Sequence, residues 1–177
     1  MLKNQVILIT GCSSGIGRAL SLELAARGHR VYASARRPEA LEDLKSKGID
    51  AVALDVNDGE SIKAAVHLIH EDAGRIDMVV NNAGFSLVGP LAEVDLADFR
   101  RELETNVVGP VALAQAAIPH MVKQGSGRIV NVGSTVGILP TPFAGAYCAS
   151  KSAIHMLSEV MRIELAPFGI DVILVAP

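Results

Sequence analysis

The stretch Val6-Ile7-Leu8-Ile9-Thr10-Gly11-Cys12-Ser13-Ser14-Gly15-Ile16-Gly17 decides how the rest of the chain is read. Its first half is an unbroken apolar run, the pattern of a buried strand over 6–10. Behind the glycines, apolar residues at 16, 19, 20, 22, 24 and 25 recur at helical spacing, and Gly28 supplies the stop of a helix over 16–27. Glycines at such a junction let backbone approach a pyrophosphate, and the positive end of the helix dipole favours its charge. The hydroxyls of Ser13 and Ser14 add donors. The spacing is G-x3-G-x-G rather than the commoner G-x-G-x-x-G. Three glycines would also serve an ordinary tight turn. Their place on the first strand-to-helix junction, where doubly wound sheets bind dinucleotides, selects the phosphate reading.

Outward from that junction, β-branched runs alternate with helical stretches. Strands are predicted over 30–35, 51–54, 77–80, 128–132 and 171–175, and helices over 38–47, 59–73, 96–123 and 147–166. Strict alternation predicts an α/β fold, a doubly wound Rossmann-type parallel sheet of six strands with helices on both faces. Half the chain is hydrophobic but only 3% is aromatic, with no Trp, so Val, Ile, Leu and Ala must fill the core. Inside the long helix over 96–123, Asn106, Gly109 and Pro110 are poor helix formers and predict a kink.

The charge balance, 16 basic against 19 acidic residues with no basic run, argues against a nucleic-acid partner. Cys12 and Cys148 are too far apart to suggest a disulfide framework and lie outside any metal-ligand spacing. They read as small packing residues in a reducing compartment. His67 and His70 share a helix face without a third ligand nearby, so no metal site is expected. The first apolar run is too short to span a bilayer and no signal-peptide cleavage pattern follows. The expectation is a cytoplasmic protein without an integral membrane segment.

The second strand identifies the nucleotide. An acidic residue at its end would hold the ribose of NAD(H). Ala35 stands there instead, followed by Arg36 and Arg37, whose guanidiniums suit a 2′-phosphate, so NADP(H) is favoured over NAD(H). Chemistry is carried further along. Tyr147 and Lys151 are four apart on a predicted helix and so share a face. A nearby ammonium stabilises a phenolate, and bringing a phenol from ~10 toward neutrality corresponds to ~3 to 4 kcal/mol of differential stabilisation. Ser134, at the carboxyl end of the fifth strand, is placed to hydrogen-bond a substrate oxygen as charge develops on it. Asn106 sits mid-helix, either as a kink residue bonding backbone or as part of the site, and the two are compatible.

Together these residues resemble the short-chain dehydrogenase/reductase family. Thr10-Gly11-x3-Gly15-Ile16-Gly17 is similar to its cofactor loop, Asn81-Asn82-Ala83-Gly84 to its motif after the fourth strand, and Asn106, Ser134, Tyr147 and Lys151 to its catalytic tetrad in order and spacing. The resemblance runs from Val6 to Pro177. It implies that Asp55, with Val56 beside it, meets the adenine ring, and that Arg36 marks an NADP(H)-preferring member. It further implies cofactor contacts from Gly11, Ile16, Asn82, Ala83, Gly84, Tyr147, Lys151 and Pro177.

The mechanism the resemblance implies is hydride transfer between a nicotinamide and a carbonyl or alcohol carbon. Tyr147 exchanges the proton, Lys151 assists it and bonds the nicotinamide ribose, Ser134 polarises the substrate, and Asn106 holds a relay water. Phe143-x-Gly145-Ala146-Tyr147-Cys148-Ala149-Ser150-Lys151 and Glu164-Leu165-Ala166-Pro167-Phe168-Gly169 look like 1-acyldihydroxyacetone-phosphate reductases and 17β-hydroxysteroid and retinol dehydrogenases. That points to a lipid-like carbonyl or alcohol as the small-molecule substrate.

Small residues on the two long helices, with the family's habit of pairing them, imply a homodimer or homotetramer. The family continues past this point with a seventh strand and a substrate lid. The chain is therefore expected to be a single dinucleotide-binding domain, 1–177, whose C-terminal part is absent, because a longer chain continues or because the protein is truncated. A non-catalytic nucleotide-binding sensor on the same fold is the competing reading; an intact tetrad argues against it.

Overall fold

Six segments that cannot satisfy their backbone alone pair into one sheet: β1 (Val6–Ile9), β2 (Arg30–Ala35), β3 (Asp50–Ala53), β4 (Met78–Asn81), β5 (Gly127–Val132) and β6 (Ile170–Val175). All neighbours are parallel and the order is β3-β2-β1-β4-β5-β6. This computed structural model describes residues 4–177. Between the strands lie α1 (Gly15–Ala26), a 3-10 turn (Pro38–Leu41) leading into α2 (Glu42–Lys45), α3 (Gly59–Ala73), α4 (Leu96–Leu103), α5 (Gly109–Gln124) and α6 (Gly145–Leu165). The expected Rossmann-type architecture is thus present, with element ends moved by a residue or two.

Side chains alternate across the sheet and so build two cores. Val6 and Leu8 of β1 join Val79, Ile129 and Val172 against α3 and α5, through Ile62, Val66, Ile69, Leu113 and Met121. Ile7 and Ile9 face the other way, with Val31, Ala33 and Val80, against Leu20 and Leu24 of α1 and Leu41 and Leu44. A strand buried on both faces has no need of a polar alternation, which is why β1 reads as four apolar residues in a row.

The sheet grows from β1 toward β3 on one side and from β4 toward β6 on the other, so the loops that leave the carboxyl ends of β1 and β4 run to opposite sides and part there. Two devices fix β5 and α6 beside this gap. Asn81 donates its amide to Asn131 Oδ1 at 2.8 Å, and Asn131 donates to Ser158 Oγ on α6, also at 2.8 Å. All three are buried, so each amide depends on its partner.

The kink expected in the long helix over 96–123 takes a definite form. A π turn, Glu104–Val108, separates α4 from α5, and the Gly109 N–H reaches back five residues to Glu104 O. Pro110 follows it in the first turn of α5, where its missing N–H is no loss. Gly109 is needed on packing grounds, since a Cβ there would lie 2.8 Å from Val56 O.

Candidate active site

At the strand-order reversal, the glycine loop and the segment after β4 interlock. Thr10 Oγ1 accepts the N–H groups of Asn82 at 3.0 Å and Ala83 at 2.9 Å, and donates to Val80 O. Asn82 returns its amide to Thr10 O at 2.8 Å and Gly11 O at 3.2 Å. The contact leaves no space for side chains. A Cβ on Gly11 would sit 2.8 Å from Ala83 Cα, and one on Gly17 would sit 2.4 Å from Asn82 Nδ2. Gly15 differs: its φ of +59° requires glycine, yet a Cβ there would point into open space.

That open space is a cleft of about 810 Å³. Gly11, Ser13, Ser14, Gly15 and Ile16 line one side, Asn82, Ala83, Gly84 and Phe85 another. Ala35, Arg36, Asp55 and Val56 line the end beyond β2 and β3. The first turn of α1 holds no acidic side chain, and Ser14 at its N-cap makes no capping bond, so donors there face the cleft. Arg36 is exposed and, among the described residues, has no carboxylate partner. The cradle fits a dinucleotide: backbone donors at the helix end, glycines where the phosphates would press, and a guanidinium but no carboxylate beyond Ala35. Arg37 and Pro177, both expected at the cofactor, are exposed and do not line the cleft. Gly17 lies beneath it, buried, and acts by making room for Asn82.

The floor of the cleft is tied to α4 and the π turn. Asn57 and Thr105 exchange hydrogen bonds at 3.0 and 3.1 Å. Asn106, inside the π turn, accepts the Phe85 N–H on Oδ1 at 3.1 Å and donates to Phe85 O at 2.8 Å and Ser150 Oγ at 3.1 Å. A Cβ on Gly84 would meet Asn106 Oδ1 at 2.8 Å. The amide is thus occupied by protein partners, which is the backbone-bonding alternative of the sequence reading.

On α6, the Lys151 Nζ lies 5.6 Å from the Tyr147 ring centroid, the shared face that four-residue spacing predicts. Lys151 is buried, and its ammonium donates to Val132 O at 2.7 Å, leaving two further donors. Burial pushes the lysine below its ordinary range, and the negative charge of Glu102 opposes that displacement. Ser150 Oγ donates to Tyr147 O at 2.9 Å and so links the Asn106 amide to the tyrosine's turn. Ser134 stands just past β5, half-buried, and its N–H donates to His155 Nε2 at 3.3 Å. Burial, and then the Lys151 charge, hold His155 below its usual range, so it is neutral and able to accept.

Several of these roles went unread in the sequence. The loop motif contains Thr10, but nothing in its local pattern shows the clamp that Thr10 forms with Asn82. Glu102 precedes Asn106 by four residues and His155 follows Lys151 by four, so helical spacing alone could have placed both on the site's face. Gly133 and Gly137 leave room for the His155 ring, a long-range fit that no local pattern announces. Cys12 is fully buried and burial raises its thiol, in keeping with a packing role.

Residues 5–177 match the family described as short chain dehydrogenase. An uncharacterized oxidoreductase, YbbO, of Escherichia coli K12 is 39% identical over 97% of this chain and 64% of its own length. Human 17-beta-hydroxysteroid dehydrogenase type 1 is 39% identical over 96% of this chain and 55% of its own. The chain therefore spans 55–64% of the length of these curated relatives. A crystal structure of a short-chain dehydrogenase from Streptomyces avermitilis superposes over the whole chain, and 66% of its own, with a TM-score of 0.95 and 41% identity. Solved neighbours carry either nucleotide: a xylitol dehydrogenase is bound to NAD+ (35% identity, TM-score 0.93, 99% of this chain and 70% of its own). A gluconate 5-dehydrogenase from Burkholderia cenocepacia is in complex with NADP and tartrate (31%, 0.93, 99% and 71%).

Proposed function

The chain belongs to the short-chain dehydrogenase family, and from that premise we propose that it is the nucleotide-binding and catalytic part of an NADP(H)-dependent oxidoreductase interconverting an apolar carbonyl and its alcohol. The observation that carries this reading is the Tyr147–Lys151 pair, a half-buried phenol with a buried ammonium 5.6 Å from its ring. The nicotinamide, when bound, supplies or takes the hydride. The chain's own residues do the rest. The Tyr147 hydroxyl gives its proton to the carbonyl oxygen, or takes it from the alcohol, as general acid or base. The Lys151 ammonium stabilises the phenolate so formed and offers its free N–H donors to the nicotinamide ribose. The Ser134 hydroxyl bonds the substrate oxygen. Asn106 keeps the Phe85 segment and the Tyr147 turn in register and holds the relay water.

Arg36 supports NADP(H) over NAD(H), as the guanidinium beyond Ala35 with no ion-pair partner among the described residues. An apolar rim supports a lipid-like substrate. Val88, Leu91, Ile138, Leu139 and Phe143 are each more than 60% exposed on loops leaving the carboxyl ends of β4 and β5. Those loops touch: Gly89 N–H donates to Phe143 O at 2.8 Å, and Leu91 lies against Gly145 at the start of α6. A contiguous apolar surface of this kind marks a binding site more often than it marks chance.

On α6, Met156, Val160 and Ile163 form an exposed stripe at helical spacing, which supports pairing of two copies as a homodimer or within a homotetramer. No described helix is long and apolar enough to cross a membrane. The two free cysteines fit a reducing, cytoplasmic setting.

The test is a fluorescence titration with NADPH and NADH, followed by NADPH oxidation with a long-chain methyl ketone and with acetoin. Tighter NADPH binding and faster turnover of the long-chain ketone are expected. Binding of neither nucleotide would overturn the reading.

A further inference from the structure

Glu102 has no part in the chemistry above, yet it is fully buried on α4. Its Oε1 accepts the Leu87 N–H at 3.3 Å and the Asn106 amide at 3.5 Å, while Oε2 is buried with no hydrogen-bond partner among the described residues. A carboxyl group so placed is costly unless an opposite charge compensates it. The helix that carries it packs on α6 and reaches the catalytic pair through one short chain of bonds, Glu102 to Asn106 to Ser150, next in sequence to Lys151. No ionisable side chain occurs between 82 and 91, in the segment that covers Glu102. On α4 itself, Arg100 and Arg101 are exposed, and Asp98 pairs with Arg101 at 3.0 Å. Glu104 in the π turn is exposed. From α6 the groups on this side are Tyr147, Lys151 and His155. Among the described residues, Lys151 is the one buried cationic side chain.

We propose that Glu102 is a positioning residue for the Tyr147–Lys151 pair: its buried carboxylate is the counter-charge that keeps the Lys151 ammonium protonated in the interior while its Oε1 holds Leu87 and Asn106 in place. This rests on the catalytic reading of Tyr147 and Lys151 given above. Among the described residues, Lys151 has the Val132 carbonyl as its one direct acceptor, so a dipole alone would otherwise offset its burial. The coupling is mutual, since burial raises the Glu102 carboxyl while the Leu87 N–H and the Lys151 charge draw it back. Loss of the negative charge therefore lets Lys151 release its proton at lower pH, and catalysis then loses the ammonium at the alkaline end of its range.

The experiment is a carbon-13 NMR titration of the Lys151 side chain, assigned with Lys151→Met, in the wild type, Glu102→Gln and Glu102→Asp. Gln keeps the shape and Asp keeps the charge. In Glu102→Gln the Lys151 midpoint is expected to fall by about one to two pH units, the size expected for charges roughly 6–12 Å apart at an effective dielectric of about 20. In Glu102→Asp it is expected to stay near the wild type. An unmoved midpoint in Glu102→Gln, or equal displacement in both variants, overturns the proposal.

Should either variant fail to fold, the reciprocal measurement leaves Glu102 intact: its side-chain carboxyl carbon should titrate at higher pH in Lys151→Met, and an unchanged titration overturns the proposal equally. Tyr147→Phe separates the two levels. If that variant still reduces the methyl ketone, the catalytic reading itself is wrong. If it is inactive while Lys151 is indifferent to Glu102, only the role of Glu102 falls.

Discussion

The two ends of this site are made from different materials. Around the cleft at β1 and β4, most of the work is done by backbone and by missing side chains: Gly11 and Gly17 let the two loops touch, and one hydroxyl, Thr10, and one amide, Asn82, fasten them through backbone partners. Around β5 and α6, it is done by side chains reaching across long sequence distances, Lys151 to Val132, His155 to Ser134, Asn106 to Ser150 and Phe85. A ligand as uniform as a pyrophosphate can be held by repeating backbone donors. A proton has to be handed over at one atom, and that takes specific groups with set charges. The loop contact at the first end should therefore answer to changes in volume, whereas the second end, like Arg36 at the far rim of the cleft, should answer to changes in charge and hydrogen bonding.

The largest effect should come from the second end. Tyr147→Phe removes the proposed proton donor and leaves the ring, so kcat with NADPH and a long-chain ketone should fall by about a thousandfold. Nucleotide binding by fluorescence should be unchanged, and if it falls in parallel the two ends are not separable.

Arg36→Ala should weaken NADPH by about 10- to 100-fold, the value of a charge-assisted bond, and leave NADH nearly untouched. Arg37→Ala, outside the cleft, should change neither in the same titration. Equal effects at the two arginines would contradict the assignment of the 2′-phosphate to Arg36.

Third comes a pair of glycine changes. Gly17→Ala pushes a Cβ into the Asn82 amide and should cost about 1–3 kcal/mol in urea unfolding, with loss of nucleotide binding. Gly15→Ala meets no atom and strains only the backbone, so about 1–2 kcal/mol is expected, with the loops still joined. A Gly17→Ala protein that binds NADPH normally would show that the close loop contact is not what shapes the cleft.

The smallest effect concerns pH. His155 is held below its ordinary value of 6.5 in the fold. Below that pH the unfolded chain takes up a proton that the folded imidazole resists, so this residue's contribution falls as pH drops through 6.5. Urea midpoints at a series of pH values from neutral to mildly acidic should decline, and His155→Gln should flatten the decline. An unaltered slope would remove His155 from the account.

The same division of materials explains what the sequence disclosed. The first end was legible because its rules are local: an apolar run, glycines at fixed offsets, an alanine followed by arginine. Tyr147 and Lys151 were legible because helical periodicity brings residues four apart together. Thr10 fastening Asn82, or Gly133 and Gly137 accommodating His155, depend on contacts between distant parts of the chain, for which local periodicity has no symbol. The kink around Asn106 was expected from poor helix formers, but composition does not distinguish a bend from a π turn. That choice depends on where the Asn106 amide finds partners, in Phe85 and Ser150.

The π turn also sets the rotational phase between the two helices that it joins. An α-helix advances about 100° per residue, so the faces of two successive helices on one axis are normally locked together. The wider turn over Glu104–Val108 acts as a phase shifter between them. It allows Glu102 to look toward α6 while Leu113, Ala117 and Met121 look toward the sheet. Delete one residue from that turn and the helix could run straight, but one of the two faces would then be out of phase by about 100°. The chain would keep either its core or its aim at Tyr147 and Lys151, and not both.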